Sequence, residues 1–433
     1  MHRLAAVPGL ADAADDGGLG LAYVEQPPAP VLLLSSADTD LVAVSSLLRQ
    51  RPTLLPVELR ALNLAALAHP AVIDHYRATS LAAARVVLVR LLGGRGHWSY
   101  GLEQLRAWAA EPTGDAPRQL LVVSGTAELD QELAGLGTVP PELSVALGEC
   151  LRQGGTANLE TVLGVLADLL RGTLPQPPEP RAAPDPLPHD WRQEPGARVG
   201  VILYRALLQA GDTALMEASL AELRRQGLCP RGLWVSSLRD PAVQRGVGDL
   251  LAREQVEAVL CGTGFASVQF EEAGLGAPLW DQLGVPVLQM LCSGRPRASW
   301  AASSIGLGPL DLSLQVALPE LDGRIGTRVA AFKELAEADV ALATALQRMQ
   351  PDLDRLAWIV ELCRGWISLA RTPTPQRRLA LVLANYPARN SRLANGVGLD
   401  TPASAALMLR WLAESSHDLG DQPLPADGDA LIQ

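Results

Sequence analysis

A chain of 433 residues, 48% of them hydrophobic, can bury substantial cores and is too long for one compact domain, so two or three domains are expected. Its net charge of −11 and pI near 5.1 give non-specific nucleic-acid binding no electrostatic support. No run reaches about 18 consecutive apolar residues, so no membrane span is expected. The five cysteines form no Cys-x-x-Cys pair and the N-terminus is acidic rather than apolar, which argues against a zinc or redox motif and for a reduced, cytoplasmic protein.

In chain order, residues 30–35 (PVLLLS) read as a buried strand, with Asp38 or Asp40 capping a helix through Leu48. Residues 81–92 hold a second strand, followed by Gly93-Gly94, and 119–124 a third. Helical patterns between them imply parallel pairing, and residues 1–172 are expected to form one α/β domain. The stretch 173–197 is rich in proline without period and reads as a semi-rigid linker. The strand–helix pattern restarts over 198–332, with strands at 199–204, 232–236, 256–260 and 285–291 and a helix opening at Asp240-Pro241. Residues 333–372 read as helical, Pro351 dividing helices at 334–349 and 352–371. Residues 373–433 begin a further unit with a strand at 379–384 and a helix at 402–415. The expected class is therefore α/β: two parallel-sheet domains, a proline-rich linker, a helical segment and the start of a third, incomplete α/β unit.

Phosphate-loop chemistry is excluded first. A Walker loop needs Gly-Lys-Ser/Thr, and the sole lysine, Lys333, lies in Phe-Lys-Glu. No Gly-x-Ser-x-Gly elbow and no His-x-x-x-His pair occurs. His97, after a strand end, is a pocket candidate, although packing beside Trp98 is the more ordinary case. Arg295 and Arg297 can clamp carboxylates, though solvated arginines are the ordinary case. The densest stretch runs from Leu260 to Arg324. There Glu320 is expected after a strand, between Pro319 and the tight turn at Gly323, beside Asp322. Such paired carboxylates raise one another's pKa and suit proton acceptance or passing a metal ion. The plain alternative is an Asp-Gly turn with a solvated glutamate.

The segments LSSADTD (34–40), VVLVRLLGGRGHWSYGLEQL (86–105), LYRALLQAGDT (203–213), VSSLRDPAV (235–243), the run 285–328 ending LPELDGRIGTR, and LVLANYPARNSRLANGVGLDTPAS (381–404) resemble the large subunit of aerobic cobaltochelatase, the CobN type, a relative of the porphyrin-binding subunit of magnesium chelatase. The residues after the acidic turn, DGRIGTRVAAFK, resemble the cobalt branch. The resemblance implies binding of a tetrapyrrole, hydrogenobyrinic acid a,c-diamide, and insertion of Co(II), which is a substrate. ATP is used by two smaller ATPase-type partner subunits and is not bound here. It implies Glu320 as catalytic residue, and Arg295, Arg297, Asp322, Tyr204 and Asn385 as substrate-binding residues; no metal ligand is assigned. Members of that family are much longer and carry a Gly-Lys-His-Gly region in a C-terminal part, so this chain matches their N-terminal third and is expected to be inactive without the remainder. The alternatives are a non-catalytic tetrapyrrole- or metal-binding or regulatory module, and a magnesium-chelatase-type porphyrin-binding subunit.

Overall fold

The computed structural model describes residues 23–113, 117–126, 130–271, 274–383 and 398–432. They form two compact units, divided between Glu361 and Leu362.

The first unit is built on two sheets. Strands β1 (Val31–Ser35), β2 (Leu59–Asn63), β3 (Val86–Leu91) and β4 (Gln119–Ser124) form an all-parallel sheet in the order β2-β1-β3-β4. β1 and β3 are buried along their whole length, as sheets covered on both faces require. Alternate residues feed two cores. Val31 and Leu33 face the helices Asp38–Gln50, Pro141–Gln153 and Thr156–Leu170; Leu32 and Leu34 face Pro70–Ala78 and Ser99–Ala110. β2 was not expected: LRALN carries Arg60 and Asn63, and both are buried.

The second sheet has seven strands in the order β13-β12-β11-β8-β6-β7-β5. Its parallel centre is β6 (Arg198–Tyr204), β7 (Cys229–Val235), β8 (Ala258–Cys261) and β11 (Val287–Ser293). β5 (Leu187–His189) is an antiparallel edge strand on β7, where Pro188 is tolerated. It comes from within 173–197, so this stretch is anchored to the sheet. Asp185 accepts from Ser236 N at 3.2 Å, and Asn158 bonds the Arg181 backbone on both sides. A small antiparallel ladder, β9 (Gln269–Glu271) with β10 (Gly274–Gly276), follows β8. Asp240 caps the helix Pro241–Arg253 through Ala242 N at 2.8 Å, as read from sequence.

The expected helix at 334–349 is instead a hairpin. β12 (Ile325–Asp339) pairs parallel to β11 and antiparallel to β13 (Thr344–Pro351). Ala, Glu and Leu there favour a helix in isolation, but tertiary packing overrides so weak a preference. The hairpin extends away from its own sheet and lodges in the first. Leu342 and Leu346 are buried in the core around Leu33 and Leu41. Leu342 O accepts from Ala61 N at 3.1 Å, Ala341 O from Arg60 at 2.8 Å and Ala343 O from Gln26 at 2.9 Å. Asp339 receives Ser45 Oγ, and Arg49 pairs with Glu337 at 2.9 Å. At its base Lys333 forms a buried ion pair with Asp38, whose other oxygen accepts from Asn63 at 2.7 Å.

The helix Leu353–Arg371 begins in the first unit, close to the expected 352–371. In the second unit the helix Thr401–Glu414, capped by Asp400 through Ala403 N at 3.0 Å, packs on the short helix Gly428–Ile432. Residues 379–383, read as most of a strand, take no strand pairing, and residue 384 lies outside the described residues. An apolar run without a ladder partner is not a strand. All five cysteines are buried free thiols, and among the described residues no helix is long and apolar enough to cross a membrane.

The hairpin's anchorage is testable. Lys333→Met leaves the Asp38 carboxylate buried without its cation and is expected to lower stability by about 3 kcal/mol. Lys333→Met with Asp38→Asn should recover most of that loss. Urea unfolding of both variants checks it, and equal losses would refute the pairing.

Candidate functional site

The carboxyl ends of the parallel strands in both sheets open onto one cleft of about 840 Å³. The first sheet contributes the first turn of the helix after β1 (Thr39, Asp40), the end of β3 (Arg90, Leu92 to Gly94, His97) and the end of β4 (Ser124 to Thr126). The second contributes Tyr204 and Arg205 after β6, Ser236 to Pro241 after β7 (without Leu238), and Phe265 after β8, with Leu310 and Leu314 beside it. Ligands of open α/β sheets bind off strand carboxyl ends, because loops diverge there and helix N-termini point inward. Gly93 and Gly94 hold φ of +97° and +71°, which lets the chain turn sharply at the rim.

Most charged groups of the wall are already committed. Asp40 accepts from Arg90 at 2.6 Å and from Ser35 Oγ at 2.5 Å, all three residues being buried. Asp130 and Asp240 cap helices through Leu133 N and Ala242 N. Arg152 pairs with Glu149. Arg205 is buried with its Nε unbonded and donates to Pro184 O at 2.8 Å. Burial pulls its guanidinium below the usual arginine range, against the attraction of Asp185. The cleft therefore offers a ligand mainly apolar surface, hydroxyls and backbone.

The residues expected from sequence separate into four groups. Tyr204 lies in the cleft wall; its buried hydroxyl donates to Gly264 O at 2.9 Å, and burial pushes its pKa up. Asp322 lies behind the wall. Its side chain is fully buried, pairs with Arg324 at 2.5 Å, and accepts from Ser267 N, Ser267 Oγ and Val268 N at 2.8–2.9 Å. Arg324 also donates to Thr263 O at 3.0 Å and to Gln289 at 3.2 Å, and lies 5.3 Å over the Trp280 ring. Glu320, Arg295 and Arg297 are not among the cleft's lining residues. Arg295 sits in the turn after β11, its N–H on Ser293 Oγ at 3.1 Å. Arg297 Nε donates to Asp352 at 2.7 Å. Asn385 lies outside the described residues.

Two expectations about Glu320 are corrected. It does not follow a strand: residues 309–320 form one helical run with a π turn at Ser313–Ala317, and Glu320 is exposed at its end. Nor does it pair with Asp322, which turns inward to Arg324; Gly323, at φ +71°, reverses the chain between them and the next strand. The histidines also resolve plainly. His69 caps a helix through Ala71 N, Asp74 accepts from Tyr100, and no cluster of three metal-ligating acids, histidines or cysteines occurs among the described residues.

Arg90, Arg205 and Phe265 were missed. A charged residue inside an otherwise apolar strand, as in VVLVRL, was the available signal for Arg90. The other two stand directly after, or four residues after, strands that were read correctly.

An all-parallel sheet and a sheet with a parallel centre, both turning strand carboxyl ends to one cleft, define a mixed α/β architecture. The family model described as CobN/Magnesium Chelatase matches residues 148–433, and the chain belongs to that family. It is 38% identical to the aerobic cobaltochelatase subunit CobN of Pseudomonas aeruginosa, over 100% of this chain and 34% of that protein. The same-named subunit of a Sinorhizobium species is 33% identical over the same shares, 100% and 34%. A magnesium-chelatase subunit of Rhodobacter capsulatus is 22% identical over 56% of this chain and 21% of its own length. Among solved structures, the catalytic subunit of cobaltochelatase from Mycobacterium tuberculosis superposes with a TM-score of 0.56 at 30% identity, covering 94% of this chain and 33% of that one. The chain thus spans about a third of the length of the curated relatives it matches.

The Arg297–Asp352 pair generates a pH prediction. Burial pushes the Asp352 carboxyl up, but Arg297, the Arg355 amide and nearby arginine charge hold it below the usual range on balance. A depressed carboxyl adds stability that is full above its unfolded pKa, about 4, and is lost as pH falls from there through the lower folded pKa. Arg297→Gln should flatten this part of the stability–pH curve, measured by thermal unfolding between pH 2 and 7. An unchanged curve would show the pair to be incidental.

Proposed function

We propose that this chain is the N-terminal, tetrapyrrole-binding part of a cobaltochelatase large subunit. The observation that carries the reading is the cleft between the two strand-end edges, in a chain of the CobN/magnesium chelatase family. Its volume is that of a site for a large organic ligand. The cobalt branch is favoured by identities of 38% and 33% along the whole chain, against 22% over 56% of it for a magnesium-chelatase subunit. The substrate in this reading is hydrogenobyrinic acid a,c-diamide, the metal inserted is Co(II), and the setting is cobalamin biosynthesis in the cytoplasm. ATP is hydrolysed by two smaller partner subunits, in keeping with the lack of a Gly-Lys-Ser/Thr loop in this sequence.

Insertion requires the pyrrole N–H protons to leave, and a carboxylate is a suitable acceptor. Glu320 remains the proposed acceptor. It is exposed, and so are Leu312 and Leu321 on either side of it, as on a surface that another part of the assembly covers. Arg295 and Arg297 remain the proposed contacts for substrate carboxylates, and Arg297 serves only if it releases Asp352.

Titrating the chain with hydrogenobyrinic acid a,c-diamide and with protoporphyrin, followed by absorbance, tests the reading. Binding of the first in preference to the second is expected; binding of neither sinks the proposal. In the assembled complex Glu320→Gln should abolish cobalt insertion and leave substrate affinity unchanged. Wild-type turnover would remove Glu320, and binding with no insertion by the assembled wild-type complex would make this a carrier module.

A further inference from the structure

Phe265 is the cleft residue whose backbone is least favourable. Its φ is +63°, in the left-handed region that a bulky side chain enters only under constraint. Three anchors impose that conformation. The Phe265 N–H donates at 2.9 Å to the carbonyl of Leu314, within the π turn, a feature frequent at functional sites. The Tyr204 hydroxyl holds the carbonyl of the preceding residue, Gly264, at 2.9 Å. On the other side, Asp322 takes Ser267 N, Ser267 Oγ and Val268 N, and Arg324 reaches back to Thr263 O at 3.0 Å.

All three anchors act on the loop and none on the ring. Their combined effect is to present that ring, 38% exposed, in the wall of the cleft beside Leu310 and Leu314. A strained backbone under a part-exposed phenyl ring is unfavourable for folding on both counts, and local conflicts of this kind mark function. Phenylalanine is also scarce here, with three in 433 residues.

We propose that Phe265 is a stacking platform for the conjugated face of the tetrapyrrole, and that Tyr204 and the buried Asp322–Arg324 pair are positioning residues that hold it in place. This rests on the tetrapyrrole reading above. Offset stacking of aromatic faces adds affinity beyond the area buried, and Leu310 and Leu314 extend the same apolar wall.

The test uses the full chain as wild type, Phe265→Gly and Phe265→Tyr, titrated with hydrogenobyrinic acid a,c-diamide and with protoporphyrin. Glycine relieves the positive φ, so Phe265→Gly should melt at or above the wild-type temperature while binding about tenfold more weakly or worse, with a smaller shift of the ligand's visible bands. Phe265→Tyr should keep both the affinity and the shift. Wild-type affinity and band shift in Phe265→Gly would overturn the stacking role and leave the cleft reading intact. Melting of Phe265→Gly well below wild type would make the ring a structural element and overturn the proposal too. A wild-type chain that binds neither ligand removes both readings together.

Discussion

The cleft has walls from two different sheets, so its shape depends on whatever holds those sheets at one separation. That role falls to the β12–β13 hairpin. Its strands are the last two rungs of the second sheet, and its tip is part of the first sheet's core through Leu342 and Leu346. The Lys333–Asp38 pair closes the base of this bridge, and it uses the only lysine in the chain. A buried charge pair contributes less to net stability than a well-packed apolar contact, but breaking it is costly, so it fixes one geometry against near alternatives. Asp339 does the same at the tip, taking Ser45 from the first sheet's helix and the Leu342 N–H from the turn.

The same logic recurs closer to the cleft. Arg90–Asp40 and Arg324–Asp322 are both buried pairs; Asp40 also accepts from Ser35 and Arg324 also donates to Thr263 O, while the Nε of each arginine is unbonded. Each stands behind a loop rather than in open space. Asp40 and Arg90 lock the carboxyl ends of β1 and β3 together; Asp322 and Arg324 lock the loop after β8 to the end of the helical run 309–320. A rigid, internally neutralised frame presents few loose charges to a ligand. In the proposed reading it selects by shape and by the groups left exposed, here hydroxyls, backbone, His97 and Phe265.

Much of the fold could be read from sequence because parallel strands buried on both faces leave short apolar runs. VLLLS, VGVILY and VPVLQML are of that kind, and each is a strand. What escaped were elements stabilised from a distance. LRALN reads as nothing in particular until Arg60 and Asn63 meet the hairpin and Asp38. FKELAEADV reads as a helix until β11 on one side and a foreign core on the other convert it to strand. The site was affected in the same way. Tyr204 was found because it ends an obvious strand. Arg205 and Phe265 were missed because neither a buried arginine with an unbonded Nε nor a positive φ has a local signature.

The stretch from Leu260 to Arg324 therefore has a different role from the one its composition advertises. Its Asp322 and Arg324 face inward and organise the loop, while the inconspicuous Phe265 lines the cleft. Polar residues clustered near strand ends attract attention because ligands are often polar. Under the proposed tetrapyrrole reading, the polar residues hold an unfavourable loop in place, and the ring contact falls to Phe265, the residue they strain. Glu320, by contrast, is a carboxylate that the fold leaves exposed at the end of the helical run 309–320. In the proposed reading, ring contact falls to the Leu310 and Leu314 end of residues 309–320, and the proposed proton acceptor, Glu320, stands at the other end, outside the cleft lining.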